Sequence, residues 1–133
     1  MRTQRLKQGF TLVEIMIVVA IIALLAAIAI PNLLRARMSS NDALAKATLR
    51  AMSTAAESFG TANNGLYPLD MNSLTTPQPP FLNTNYVAGG AIAGYVYTDT
   101  MTSSGYSFTA TPVSVGSTGS AVEAITTGGV LTP

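Results

Sequence analysis

A long apolar run near the N-terminus restricts what this chain can fold into more than any other feature. From Phe10 to Ile30 nearly every residue is apolar, and the run holds a single charged residue, Glu14. As an α-helix it is about 31 Å long at about 1.5 Å per residue, which matches a hydrocarbon layer of about 30 Å. We therefore expect one membrane-spanning helix, and the 133 residues leave room for one small domain besides it.

The carboxylate near the start of this run needs a partner. A charged side chain inside hydrocarbon costs about 2.5–3.5 kcal/mol on insertion scales, so such a residue is a functional candidate. Cleavage between Gly9 and Phe10 would supply a cation, because the new α-amine of Phe10 would lie within one helical turn of Glu14. One cut would therefore create both a new terminus and the charge that makes Glu14 tolerable.

Residues 7–14, Lys-Gln-Gly-Phe-Thr-Leu-Val-Glu, resemble the prepilin processing motif of the type IV pilins and of the pseudopilins of type II secretion. The resemblance implies that a membrane-embedded aspartic peptidase cleaves after Gly9 and methylates the amine of Phe10. It also implies an assembly role for Glu14, which would pair with the Phe10 amine of a neighbouring subunit. Pro31 matches the proline that softens the helix in this family. The strong resemblance covers about the first third of the chain.

Two other interpretations of the N-terminus stay open. A conventional secretory signal would be cut after Ala29, within a small-x-small sequence, and would release a soluble secreted binding module. The run is longer than the usual apolar region of about 7–15 residues, and Glu14 would serve no purpose in a discarded segment. An uncleaved single-span anchor fits the length of the run but leaves Glu14 without a partner.

The distribution of positive charge predicts the orientation and disfavours nucleic acid as a partner. Arg2, Arg5 and Lys7 precede the run, so the positive-inside rule places the leader, residues 1–9, in the cytoplasm. No Lys or Arg follows Arg50. A nucleic-acid surface needs clustered basic residues, so we expect none on the distal part of the chain. We expect a single-pass protein of the inner membrane before any assembly.

Catalytic and metal chemistry find little support in the composition. The chain has no histidine and no cysteine, which excludes histidine-assisted nucleophiles and the usual zinc sites. It also lacks the disulfide that closes the C-terminal region of many proteins that it resembles. The acids that follow Arg50 are too scattered to form a calcium loop: Glu57, Asp70, Asp99 and Glu123. We expect no enzyme activity, no metal and no cofactor.

Apolar periodicity beyond the run predicts one continuous helix, Thr11 to about Ala62, that stops at residues 63–65, Asn-Asn-Gly. Residues 10–30 would be its transmembrane and filament-core half, and residues 31–62 its amphipathic half. Pro31 removes one helical N–H and should kink or soften the helix.

An apolar stripe on the second half of the helix is expected to pack against the rest of the chain. Asp42 and Lys46 lie at i and i+4 on another face, a spacing that favours a weak ion pair. The stripe consists of Leu34, Met38, Ala45, Leu49, Met52, Ala56 and Phe59.

Residues 63–133 are predicted to form a head made of an irregular loop and a small antiparallel sheet. Alternating and β-branched residues favour strands, and we expect a hairpin that turns around residues 99–105. Tyr106, Phe108 and Ala110 should face the helix. The expected fold class is therefore α+β, a long N-terminal helix with a sheet packed on its second half, as in the pilin fold. The predicted strands are 95–98, 106–111, 121–126 and 130–131.

The resemblance implies a function as the structural subunit of a type IV pilus, a helical homo-oligomer that is extracellular once assembled. The implied partners are the prepilin peptidase and methyltransferase and an inner-membrane assembly platform with ATPases. A type II secretion pseudopilin is the nearest alternative, and Tyr67-Pro68 after the helix is faintly similar to those proteins.

Overall fold

The structure is a computed structural model that describes residues 9–133. The leader, except for Gly9, lies outside the described residues, and so do its basic residues Arg2, Arg5 and Lys7. The chain divides into two compact units, one that ends at Arg35 and one that spans Ala36–Pro133. The elements, in chain order, are α1 (Leu12–Ala62), α2 (Asn72–Thr75), β1 (Tyr95–Thr102), β2 (Gly105–Pro112), β3 (Glu123–Thr126) and β4 (Val130–Thr132).

Helix α1 is continuous from Leu12 to Ala62 and contains Pro31. This confirms the single long helix that the periodicity predicts. The helix ends at the predicted place because Asn64 and Gly65 adopt positive φ angles of 56° and 86°. The Gly65 N–H donates to the Gly60 carbonyl at 2.8 Å, which satisfies one of the last carbonyls of the helix.

The four strands form one antiparallel sheet in the order β1-β2-β3-β4. The predicted α+β class is thereby confirmed. The first hairpin differs from its prediction, because β1 continues through Asp99 to Thr102 and the turn is formed by Ser103 and Ser104. Residues of β1 alternate between the two faces of the sheet as far as Thr102, so the strand continues through Asp99. The turn is formed instead by the small polar residues Ser103 and Ser104.

The core of residues 36–133 lies between α1 and one face of the sheet. Tyr106, Phe108 and Ala110 are buried on this face, as predicted. Part of the predicted helical stripe is wrong, because Leu34 is exposed and Met38 is only half-buried. The first side-chain hydrogen bonds from α1 to the head come from Asn41 and Asp42, so the sheet and its loops cover the helix from there on. The buried helical residues are Ala45, Thr48, Leu49, Met52, Ser53, Ala55, Ala56 and Gly60.

Candidate processing and assembly site

The bond between Gly9 and Phe10 lies in an exposed segment directly before α1. The Phe10 ring is 86% exposed. A Cβ atom added at Gly9 would meet nothing within 4 Å, so packing among residues 9–133 does not require glycine there. Any requirement for glycine at this position would therefore come from an enzyme that binds the segment.

The carboxylate of Glu14 is bound to the start of its own helix. The N–H and the hydroxyl of Thr11 donate to Glu14 Oε2 at 2.7 and 2.8 Å, and the Glu14 N–H donates to Thr11 Oγ1 at 3.2 Å. This reciprocal pattern is a capping box with Thr11 as the N-cap residue. Sequence analysis did not identify Thr11 as a hydrogen-bonding partner of Glu14. The signal was present, since Thr-x-x-Glu before an apolar run is a capping-box sequence.

The capping box leaves the charge of Glu14 uncompensated, because Thr11 is neutral. It holds the carboxylate at the N-terminal end of α1, the end that also favours negative charge through the helix dipole. Phe10 directly precedes Thr11, so an amine created by cleavage after Gly9 would arise at this same end of the helix. The described structure thus places the Gly9–Phe10 bond and the acid together at the N-terminus of α1.

The first part of α1 is apolar on all sides and exposed. Its large side chains are 50% exposed or more, from Leu12 through Leu34. Among residues 9–133, α1 is the one helix long and apolar enough to cross a membrane, by length and composition, and none of its most apolar window is buried. A helix that is hydrophobic all round needs lipid or other apolar helices around it.

Pro31 lies inside α1, after this apolar window. Its nitrogen cannot donate to the carbonyl of Ala27 four residues earlier, so one rung of the helical hydrogen-bond ladder is missing there. Softening of the helix at Pro31 stays a prediction.

A second set of polar side chains joins the head to α1 by hydrogen bonds. Sequence analysis did not predict these contacts. Asp42 accepts hydrogen bonds from the Tyr95 hydroxyl at 2.7 Å and from the N–H and hydroxyl of Ser120 at 3.0 and 2.6 Å. The neighbouring Asn41 amide donates to the Thr118 carbonyl at 2.8 Å. We call this group the Asp42 cluster, and it ties α1 to β1 and to the loop before β3.

Glu57 forms an equivalent group, the Glu57 cluster, about four turns further along α1. It accepts from the Tyr106 hydroxyl at 2.8 Å, the Tyr67 hydroxyl at 2.9 Å and the Gly128 N–H at 2.8 Å. These contacts join α1 to β2, to the loop after the helix and to the β3–β4 turn. Many small exported domains use disulfides for such long-range links. This cysteine-free chain uses carboxylate–tyrosine hydrogen bonds instead.

Lys46 does not pair with Asp42 as the helical spacing suggested. Its Nζ atom lies 3.2 Å from Glu123 Oε1 on β3, and the Glu123 side chain is only 4% exposed. A carboxylate this deeply buried needs a cation near it, so the tertiary contact prevails over the weak pair along the helix. The charge of Lys46 still acts on Asp42 at longer range.

The two clusters shift the pKa values of their members in opposite directions. Burial opposes ionisation of Asp42 and Glu57, but the hydrogen bonds that they accept outweigh it and hold both carboxyl pKa values below their ordinary range. Burial, together with hydrogen bonds to these carboxylates, raises the pKa of Tyr95 and of Tyr106 to about 12. Each cluster is therefore built for a carboxylate and a neutral tyrosine.

The head is expected to lose stability at alkaline pH. The folded pKa values of Tyr95 and Tyr106 lie above the ordinary 10.0, so their contribution is complete below pH 10.0 and is lost as the pH rises through about 12. The carboxylates act in the opposite sense. The contribution of Asp42 to stability is complete above pH 3.8, and that of Glu57 above pH 4.5. Each contribution is lost as the pH falls through the lowered pKa of the folded carboxyl group. Guanidinium unfolding of the full chain in detergent across this range measures both limbs. Unchanged stability between pH 10.0 and about 12 would contradict the alkaline limb.

Glu57→Ala is expected to destabilise the head by about 2 kcal/mol, because Glu57 loses the hydrogen bonds that it accepts and a hydrogen bond to a charged group contributes about 1.5–3 kcal/mol. The Tyr106 hydroxyl keeps a second partner, Ser53 Oγ at 2.6 Å, which limits the loss. Ser58→Ala is the matched control, because the Ser58 hydroxyl bonds only within the helix, to the Thr54 carbonyl. Denaturant unfolding measures the difference. Equal stabilities of the two variants would show that the Glu57 cluster does not hold the head.

Comparison with known proteins agrees with this arrangement. A family model described as the prokaryotic N-terminal methylation motif matches residues 4–30. The type IV major pilin protein PilA of Myxococcus xanthus (strain DK1622) is 56% identical over 52 residues, 39% of this chain and 24% of the pilin. The type IV wide pilus major component PilA4 of Thermus thermophilus is 42% identical over 76 residues, 57% of this chain and 52% of that protein.

A further relative is the type II secretion system core protein G of Vibrio cholerae, 32% identical over 99 residues, 69% of this chain and 64% of that protein. The chain spans about a quarter of the length of the Myxococcus xanthus pilin and about half of that of the Thermus thermophilus protein. No solved structure matches it. The N-terminal methylation motif thus coincides with the start of a helix that is long and apolar enough to cross a membrane. The expected resemblance to the type IV pilins and pseudopilins is confirmed.

Proposed function

We propose that this chain is the structural subunit of a type IV pilus. The observation that carries the proposal is the arrangement at the N-terminus of α1. An exposed Gly9–Phe10 bond directly precedes a helix that carries Glu14 in its first turn and is then apolar on all sides. The methylation motif over residues 4–30 and the similarity to major pilins support it.

Processing is the first step of the proposed mechanism. A prepilin peptidase hydrolyses the amide between Gly9 and Phe10, so that the leader leaves with a new carboxylate and Phe10 gains a free amine. Methylation of that nitrogen leaves a secondary amine, which still carries a positive charge at neutral pH. The membrane anchor stays attached to the head throughout, because the cut precedes α1.

Assembly is the second step. Glu14 of an incoming subunit is drawn to the methylated amine of Phe10 on a subunit already in the filament. Water is scarce among packed apolar helices, so the attraction between the two charges is weakly screened and sets the axial register. The Thr11 capping box prepares this contact by holding the carboxylate at the helix end.

The parts of the chain then take different places in the filament. Residues 10–30 first span the inner membrane and later pack in the filament core. Pro31 lets the helix extend locally as the subunit leaves the bilayer. Residues 31–62 form the amphipathic half of α1, and residues 63–133 form the surface head.

Location and partners follow from the same scheme. The precursor is a single-pass protein with its N-terminus in the cytoplasm, and the assembled pilus is extracellular. The peptidase and methyltransferase process the chain, and an inner-membrane platform with ATPases supplies the work of assembly. The chain itself acts as a building block and not as an enzyme.

A pseudopilin of type II secretion is the second candidate. The specific observation in its favour is the similarity to core protein G, which extends over 69% of this chain. Such a subunit would form a short fibre within the cell envelope in place of a long surface filament.

Immunogold electron microscopy with antibodies against the head separates these functions. The pilus function predicts labelled surface fibres that disappear when the gene is deleted and return when it is restored. Label confined to the envelope would favour the pseudopilin. Soluble chain in the medium, cut after Ala29, would contradict both.

A further inference from the structure

Five acidic residues lie within residues 36–133, and four of them accept a hydrogen bond or form an ion pair. Asp99 is the exception. Asp99 lies in the middle of β1, an edge strand of the sheet, and is half-buried on the face shared with Tyr97 and Met101. Among residues 9–133 it has neither a hydrogen bond nor an ion pair. Its carboxylate oxygens reach the surface, because Tyr97 Oη is the one buried side-chain polar atom without a partner in this part of the chain, so a cation from another molecule can contact them. The four partnered acids are Asp42, Glu57, Asp70 and Glu123.

An unpaired cation lies on the other side of the head. Arg50 is exposed on α1 and contacts no acid within the described part of the chain. It stands one turn after Lys46, which binds Glu123 of β3, and two turns before Glu57, which binds Gly128 in the β3–β4 turn. Residues at such spacings share a helix face, so Arg50 lies on the β3–β4 side.

The two unpaired charges therefore flank the head on opposite sides, because β1 and β4 are the two edges of the sheet. Both lie at the level of the sheet, since Arg50 stands between the buried residues Leu49 and Met52. Arg37 differs in this respect, because it precedes the first helix-to-head hydrogen bond, at Asn41.

We propose that Asp99 of one copy binds Arg50 of the next copy of this chain in the filament. The contact is heterologous, since it joins two different surfaces, and a heterologous contact that does not close generates an open helical assembly. Guanidinium and carboxylate groups can bind through two parallel hydrogen bonds, which fixes the orientation of the partners. The proposal rests on the proposed function and adds a contact between heads to the one between α1 helices.

A charge swap in the full-length chain tests the contact. Asp99→Arg and Arg50→Asp are each expected to lower the yield of sheared surface fibres at least about tenfold, because each places like charges together. The double variant is expected to restore the yield. Thr98→Arg is the matched control, since it adds the same charge on the exposed face of β1 and should assemble like the wild type. Asp99→Asn removes the attraction with little change of shape, so its fibres should be weaker than the wild type at low salt and should lose less stability as the salt concentration rises.

The outcomes distinguish this contact from the pilus function itself. Wild-type yield from both single reversals would overturn the contact. Failure of the double variant would overturn it too, if Asp99→Asn fibres match the wild type in low-salt stability and in salt dependence. Absence of fibres from the wild-type chain would overturn the proposed function, and this contact with it.

Discussion

Glu14→Gln is expected to be inserted and cleaved but to form no filaments. Glutamine keeps the shape of the side chain and can serve at the third position of a capping box, so α1 should still begin at Leu12. The substitution removes only the charge. The amine of Phe10 in the neighbouring subunit would then remain uncompensated in a water-poor core, and we expect filament yield to fall at least about a hundredfold. Glu14→Ala should fail in the same way.

Thr11→Ala is the matched control for this variant. It removes the hydroxyl that bonds Glu14 but retains the charge, and loss of an N-cap residue costs about 0.5–2 kcal/mol of helix stability. Filaments should therefore still form. Immunoblots of whole cells report cleavage, and sheared surface fractions report filaments. If Glu14→Gln assembles normally and Thr11→Ala does not, the acid serves as a helix cap and the ion-pair mechanism is wrong.

Gly9→Val is expected to block processing and leave the precursor in the membrane with its leader attached. A Cβ atom at position 9 meets nothing within 4 Å in this chain, so the fold should be unaffected and the block should arise in the peptidase. Valine adds a β-branched side chain next to the scissile bond, whereas Gly9→Ala adds one methyl group and should be cut more slowly. The intact mass of the membrane-bound chain measures the result. Mature-length protein from Gly9→Val would contradict the assignment of the cleavage site.

Periodicity in the sequence was sufficient to predict the main elements. Helix α1 and the inward-facing residues Tyr106 and Phe108 follow from spacings of 3.6 and 2 that many residues share. The end of a strand depends on fewer residues. Asp99 suggested a turn because acids are rare in strands, yet the alternation around it continues and the turn falls at Ser103 and Ser104.

The carboxylate–tyrosine clusters could not be predicted from the sequence. Asp42 and Tyr95 are separated by 53 residues, and their contact depends on how the sheet sits on α1. Close packing also explains Gly119, where a Cβ atom would overlap the hydroxyl and ring of Tyr95. In the sequence this residue is one more glycine in a polar loop. By contrast, the Thr11–Glu14 capping box is local and was readable from the sequence.

Tandem mass spectrometry of the N-terminal peptide from purified fibres or membranes tests the central claim most directly. If Glu14 acts through an amine created by cleavage, the peptide must begin at Phe10 and carry one methyl group on its α-nitrogen. A chain that begins at Met1 or at Ile30 would contradict the account, because neither terminus puts a positive charge beside Glu14 at the start of α1.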